Sequence, residues 1–356
     1  MDDTSKNKRR IIAVLLVIAL AAAAGVIMYV NRTRSYATVT FHMDTYVSYD
    51  INCPRPERAV RKMEAAVKEC EELFDRFDPS SEIAKINRNA GEAVEVSEQT
   101  YVLMFNALEL AKQTGGSFDP TIGALSDLWG FGDEPRIPDQ DDLAECLADV
   151  GFHKVTLSRD EKGGYYVCIA KGQKLDLGAI AKGYTLNEVG FAAYKAGCRE
   201  GIISLGGNVL LLGSGQDGSG YKVGVRCPDE NSNSSALILR LGDTADDTVL
   251  STSGSYERFF WEDGVRYCHI IDPFTGDCAE KDLKSVTVIS SDPRRADGLS
   301  TAYYVMGIDR TLDALASGEI TGVAIDRYGT IYISEDLMDK VVPGSVAEGY
   351  ELEVVG

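Results

Sequence analysis

The sequence predicts an α+β fold of mixed antiparallel sheets and packed helices, built as one intertwined domain. Three observations carry this. Segments 57–77 and 98–113 repeat apolar residues at helical spacing. Short strand-like runs cluster at 153–157, 164–169 and 201–212 and through 221–290, without the strand–helix alternation of a parallel sheet. No repeat of about 20–50 residues and no low-complexity linker divides the chain.

Each element has a local reason. Tyr36 to Ile51 alternates like a strand or a hairpin. In 57–77, Val60, Met63, Val67, Cys70, Phe74 and Phe77 form one apolar stripe. Pro79-Ser80-Ser81-Glu82 reads as a turn and helix cap. Segment 98–113 closes on Gly115-Gly116, and Trp129-Gly130-Phe131-Gly132 leads into a Pro- and Asp-rich surface stretch at 133–142. A helix at about 180–196 interrupts the strands and stops at Gly197. Another runs from Pro293 to Met306, with Asp292 as N-cap, Pro293 at its first position and Gly307 after its end. Two strands follow, at 321–326 and 330–334.

Ahead of this domain lies an expected membrane anchor. Residues 1–10 carry Lys6, Lys8, Arg9 and Arg10, and Ile11 to Val30 holds no charge. About 20 apolar residues cross a bilayer, and basic residues mark the cytoplasmic side. The expectation is a cytoplasmic stub at 1–10, a single-pass transmembrane signal-anchor at 11–30 and an extracytoplasmic domain at 36–345. Ala21 to Ala24 offer a signal-peptidase site, but the apolar run continues through Val30, which favours an uncleaved anchor.

Composition narrows the function. Apolar residues at 44% and charged residues at 26% exclude a mostly disordered chain. Lys plus Arg number 36 against 55 Asp plus Glu, a net charge of −19. Such acidity argues against a nucleic-acid partner, though not against a phosphorylated ligand held by local amides or a divalent cation. The eight cysteines form no CxxC and no zinc-like cluster. Extracytoplasmic placement permits disulfides, while apolar settings such as Val167-Cys168-Ile169 favour buried free thiols.

Five polar or Gly-rich segments sit between apolar runs. Gly115 to Thr121 is a helix stop, or exposed backbone beside an aromatic ring that could grip a planar heterocycle. Asp176 to Tyr184 enters a helix; Lys182 lies in its first turn, where the dipole disfavours a cation unless an anion binds. Leu205-Gly206-Gly207-Asn208 is a hairpin turn, or a place for close ligand approach. Thr252-Ser253-Gly254 and His269 to Pro273 bring hydroxyls, Asp272 and one of only three histidines. An imidazole titrating near neutrality suits deprotonation of an alcohol. In Ala296 to Ala302, Asp297 and Thr301 stand four apart on one helical face. They are hard oxygen donors suited to Mg²⁺, unless Thr301 bonds its own helix and Asp297 faces solvent.

Taken in this order, the segments resemble the FAD:protein FMN transferase (ApbE) family over about residues 36–345. The markers are Met43-Asp44-Thr45, Ser81-Glu82-Ile83 with Asn87, Gly116 to Thr121, Leu128 to Gly132, Asp176-Leu177-Gly178 with Lys182-Gly183-Tyr184, Gly206-Gly207, Thr252-Ser253-Gly254, His269 to Gly276 and Ala296-Asp297. The resemblance implies a fold related to the T-fold and Mg²⁺-dependent transfer of FMN from FAD to a Ser or Thr hydroxyl of an acceptor protein, with release of AMP. The implied acceptor is an extracytoplasmic or membrane redox protein with a flavinylation motif. By resemblance, Asp297 and Thr301 hold Mg²⁺ with a backbone carbonyl near Ala179. Met43, Phe77, Ser117, Phe118, Asp119, Asp176 and Lys182 line FAD, and His269 is the base. Three positions depart from the family pattern: Asp44 where Gly is common, Phe77 where many members carry Tyr, and Gly298 where Ala is common. Two other readings are an FAD hydrolase yielding FMN and AMP, and a non-catalytic flavin-binding protein. Asp297, Thr301 and His269 oppose the second, since binding alone needs no base.

Overall fold

The computed structural model describes residues 15–26 and 33–356, except 133, 216, 230–233, 244–245 and 280. A helical stretch at 15–26 (α1) precedes the domain. Then come β1 (Arg34–His42), β2 (Thr45–Cys53), α2 (Pro56–Phe74), α3 (Glu82–Arg88), β3 (Val94–Val96), α4 (Glu98–Gln113), α5 (Gly123–Trp129) and α6 (Gln140–Asp149). The middle holds β4 (Thr156–Arg159), β5 (Tyr165–Cys168), α7 (Ala181–Lys195), β6 (Glu200–Leu205), β7 (Asn208–Leu212), β8 (Tyr221–Arg226), β9 (Ser235–Leu241) and β10 (Thr248–Gly254). The last part is β11 (Phe259–Glu262), β12 (Val265–Cys268), β13 (Leu283–Ser290), α8 (Pro293–Met306), α9 (Ile308–Ala316), β14 (Thr321–Asp326), β15 (Thr330–Ser334) and β16 (Glu351–Val355).

A nine-stranded sheet runs in the order β1-β2-β6-β7-β10-β13-β14-β15-β16. Its neighbours pair antiparallel, except the parallel pair β15–β16. Because strand side chains alternate between faces, the sheet feeds two cores. Val249 and Ala324 pack with residues of α2, α7 and α8, such as Val67, Val189 and Leu299. Leu250, Val323 and Ile325 pack on the other face with Leu237 and Leu239 of β9. A small third cluster joins Trp129, Leu125, Leu143 and Ile271 beneath Phe260 and Tyr267 of the β11–β12 hairpin.

Helix caps follow the sequence chemistry. Ser81 accepts from Ala84 N at 3.0 Å, and Asp292 accepts from Arg294 N at 3.0 Å ahead of Pro293. The stripe expected through 77 ends earlier. Asp75 turns extended, and its carboxylate accepts from Phe77 N at 2.8 Å. This local side-chain bond competes with the next helical turn and leaves Phe77 outside the core, 66% exposed. The stretch 133–142 is not all surface loop, because Asp139 caps α6 by accepting from Asp141 N at 2.9 Å. The sheet also continues past position 345 through β16.

Among the described residues no helix is long and apolar enough to cross a membrane. Of the expected span Ile11 to Val30, only 15–26 is described, helical and exposed; 11–14, 27–30 and the basic stub 1–10 lie outside the described residues. Cys53, Cys70, Cys198, Cys227 and Cys268 are buried, as the apolar settings of the sequence suggest.

Candidate active site

The site is built where α7 packs on α8. A Cβ on Gly183 would come within 2.3 Å of Pro293 O and 2.6 Å of Asp297 Cβ, so only glycine permits this approach. The Gly183 N–H then donates to Asp297 Oδ2 at 2.7 Å. Asp297 is only 4% exposed, because α8 is buried on nearly every side. One turn on, the Thr301 hydroxyl lies 2.8 Å from Ser253 Oγ of β10. A solvent-facing Asp297 is therefore ruled out, and Thr301 reaches across to β10. At Gly298, Leu110 Cδ2 lies 2.0 Å from where a Cβ would stand, so α4 packs into that space.

The turn ahead of α7 supplies another wall. Asp176 Oδ1 accepts from Gly178 N at 2.9 Å, and Lys182 Nζ donates back to Gly178 O at 3.0 Å. Ala179 lies in this turn, just before the first helical residue, Ala181. Strand pairing ahead of this turn shrinks to the single bridge Ile122–Lys174.

Loop 115–121 holds Ser117, Phe118 and Asp119, all buried. Asp119 accepts from Thr121 N at 2.8 Å, from Thr121 Oγ1 at 2.6 Å and from Phe152 N at 2.8 Å. Burial pushes its carboxyl upward, and these bonds pull the other way. Both oxygens are thus engaged in fixing the loop. Met43 and Asp44 form the β1–β2 turn with φ of 51° and 56°. Asp tolerates this left-handed region better than most side chains, so the turn that glycine often makes is preserved. Glu71 Oε1 accepts from Met43 N at 2.5 Å, and Glu71 Oε2 lies 3.0 Å from His42 Nδ1.

His269 follows β12 directly. Its backbone N–H donates to Arg258 O at 3.0 Å, and its Nδ1 lies 3.2 Å from the same oxygen. A carbonyl can only accept, so Nδ1 carries the proton and Nε2 keeps a free lone pair. Burial, then the Lys182 and Arg258 charges, push the imidazole down to about 4, below the near-neutral value expected. The ring is neutral at pH 7. Asp272 does not orient it: its carboxylate accepts from Phe274 N at 2.9 Å and pairs with Lys281 Nζ at 3.1 Å.

Every residue of the expected set borders one cavity of about 480 Å³: Met43, Phe77, Ser117, Phe118, Asp119, Asp176, Ala179, Lys182, His269, Asp297 and Thr301. The cavity also takes in Glu71, Arg76, Ser253 and Arg258. Arg76 stacks 4.6 Å from the Phe77 ring centroid, donates to Gly123 O at 3.1 Å and pairs with Asp127. Sequence reading missed Glu71, Arg76 and Arg258. Charged residues on a helix face or between strands carry no signal that sets them apart from solvated ones. Ser253 belongs to Thr252-Ser253-Gly254, whose sequence offers hydroxyls but does not say what they meet.

The ApbE family sequence profile matches residues 43–324. The chain belongs to the ApbE family. A relative from Treponema pallidum, named FAD:protein FMN transferase, is 33% identical over 79% of this chain and 81% of its own. The crystal structure of the ApbE protein from Thermotoga maritima superposes with a TM-score of 0.79 at 32% identity, covering 86% of this chain and 99% of that one. The flavin transferase ApbE from Vibrio cholerae gives 0.75 at 26% identity, with 86% and 99% covered. In this ApbE family member the cavity between α7, α8, β10 and the β11–β12 hairpin is the candidate active site.

Proposed function

We propose that this ApbE family member transfers FMN from FAD to a Ser or Thr hydroxyl of an acceptor protein and releases AMP. The observation that carries the reading is the convergence, on one cavity, of a neutral imidazole, a buried carboxylate–hydroxyl pair and an aromatic-lined loop. The name of the Treponema pallidum relative supports the same activity.

The residues fit Mg²⁺. Asp297 brings one buried carboxylate, Thr301 a hydroxyl and the turn at Ala179 a carbonyl, all hard oxygen donors. Among the described residues no cluster of three or more His, Cys, Asp or Glu side chains could hold a metal. A sparse oxygen set suits an ion that keeps waters and phosphate oxygens in its shell. When bound, Mg²⁺ would neutralise charge building on the diphosphate.

The chain's own residues do the rest. Phe118 and the 115–121 backbone take the isoalloxazine end, with Met43 and Phe77 on the opposite rim. His269 Nε2 removes the acceptor's hydroxyl proton as its oxygen attacks the flavin-side phosphorus. The phosphorus–oxygen bond to the adenosine half breaks, and AMP departs. Lys182 and Arg258 supply positive charge near the diphosphate.

The same proposal places the domain outside the cell membrane, anchored by the apolar span 11–30, with an extracytoplasmic or membrane redox protein as acceptor and a fold related to the T-fold. The unbroken apolar run of the sequence supports the anchor. The test is to incubate the protein with FAD, Mg²⁺ and a candidate acceptor and to weigh the acceptor. An acceptor heavier by one FMN supports transfer. Free FMN and AMP with an unmodified acceptor means a hydrolase, and FAD bound but intact means a binding protein.

A further inference from the structure

The Thr301 hydroxyl is one of three that form a chain with a fixed direction. Ser300 Oγ, fully buried, donates to the Asp297 backbone carbonyl at 2.8 Å. Ser253 Oγ lies 2.8 Å from Ser300 Oγ and 2.8 Å from Thr301 Oγ1. A hydroxyl has one proton and two acceptor sites. The carbonyl has none to give, so Ser300 spends its proton there. Ser300 must then accept from Ser253, and Ser253, its proton committed, must accept from Thr301. The order is Thr301 to Ser253 to Ser300 to the Asp297 carbonyl. Reversing it would leave two oxygens 2.8 Å apart with no proton between them.

We propose that Ser253 and Ser300 are positioning residues that commit the Thr301 proton to Ser253, so that Thr301 presents only lone pairs to a divalent cation. The inference rests on the Mg²⁺ reading of Asp297 and Thr301. Ser300 touches neither the cavity nor the ion, and acts only by taking the Ser253 proton. Its partner Asp297 is held at a second point by the Gly183 N–H, so the wall meets the cation with both donors preset. The arrangement also rejects a bare phosphate oxygen at Thr301, which could accept no proton there. The diphosphate reaches Asp297 and Thr301 only with a cation between them.

The test uses the full chain and Mn²⁺ as a spin-active probe, without FAD, with free ion read by electron paramagnetic resonance and Mg²⁺ as competitor. Losing an outer-sphere partner of a metal ligand typically weakens metal affinity by about 10–100-fold. Ser300→Ala should do so by about tenfold or more, although it lies outside the cavity. Ser253→Ala should do the same, and Ser253→Thr, which keeps the hydroxyl, should restore the affinity. Thermal melts on each variant separate a folding defect from a binding one. If Ser300→Ala does not fold, Ser253→Ala against Ser253→Thr decides. Folded alanine variants that hold Mn²⁺ within about twofold of wild type overturn the inference alone. A wild-type chain that binds neither ion overturns the Mg²⁺ reading and this inference with it.

Discussion

The two sides of the cavity are built on opposite principles. The wall of α7, α8 and β10 is buried and its polar atoms are tied: Gly183 to Asp297, Thr301 to Ser253, Ser253 to Ser300. The rim is carried on turns that follow β1 and α2. Phe77 is 66% exposed and rests on Arg76, and the Met43–Asp44 turn hangs on Glu71. The difference follows from what each side must do. Charge stabilisation needs donors fixed before the reaction, which burial and hydrogen bonds provide. Gripping a flat ring needs area and tolerates small displacements. Changes on the wall should therefore cost rate, and changes on the rim should cost affinity.

The largest effect should come from His269. His269→Ala should slow FMN transfer by roughly 10²–10⁴-fold, with FAD affinity on the same folded protein nearly unchanged. A proportional loss of both would make His269 a binding residue. The pH profile sharpens this. The imidazole pKa is lowered to about 4, so the base is active above that pH and loses activity as it protonates below it. The acid limb of kcat/KM should sit near 4 and vanish in the alanine variant. Bound diphosphate offsets the Lys182 and Arg258 charges, so the limb of kcat should lie at higher pH.

Next comes the wall itself. Asp297→Asn keeps shape but removes the charge, and transfer should fall about 10²-fold, with partial recovery at high Mg²⁺. Unchanged activity in excess chelator would break the contrast. Gly183→Ala drives a methyl into the Pro293 carbonyl and should destabilise the fold by about 1–3 kcal/mol, seen as a lower melting temperature. The rim should respond least. Phe77→Ala should raise KM for FAD by less than about tenfold, the scale of one aromatic contact, and leave kcat alone. A kcat loss there larger than that of Asp297→Asn would reverse the comparison.

Much of this molecule was legible in its residues. Pro293 to Met306 was fixed by Asp292, Pro293 and Gly307, because caps and glycines act on their own few neighbours. Strands at 321–326 and 330–334 were legible too, and the Asp297–Thr301 face from helical spacing alone. Short elements escaped: α5, α9 and β16 span 7, 9 and 5 residues, too few turns or alternations for a period to emerge. Phe77 looked like the last member of a core stripe until Asp75 captured its amide. The resemblance proposed His269 as base, but its tautomer and lowered pKa depend on the Arg258 carbonyl and the Lys182 charge, which folding brings beside it. Likewise no spacing in the chain says that Ser253 meets both Ser300 and Thr301. Caps, turns and periodicity are local and can be read along the chain. Burial, proton direction and field at a site depend on segments distant in sequence, and only the packed sheet and helices set them.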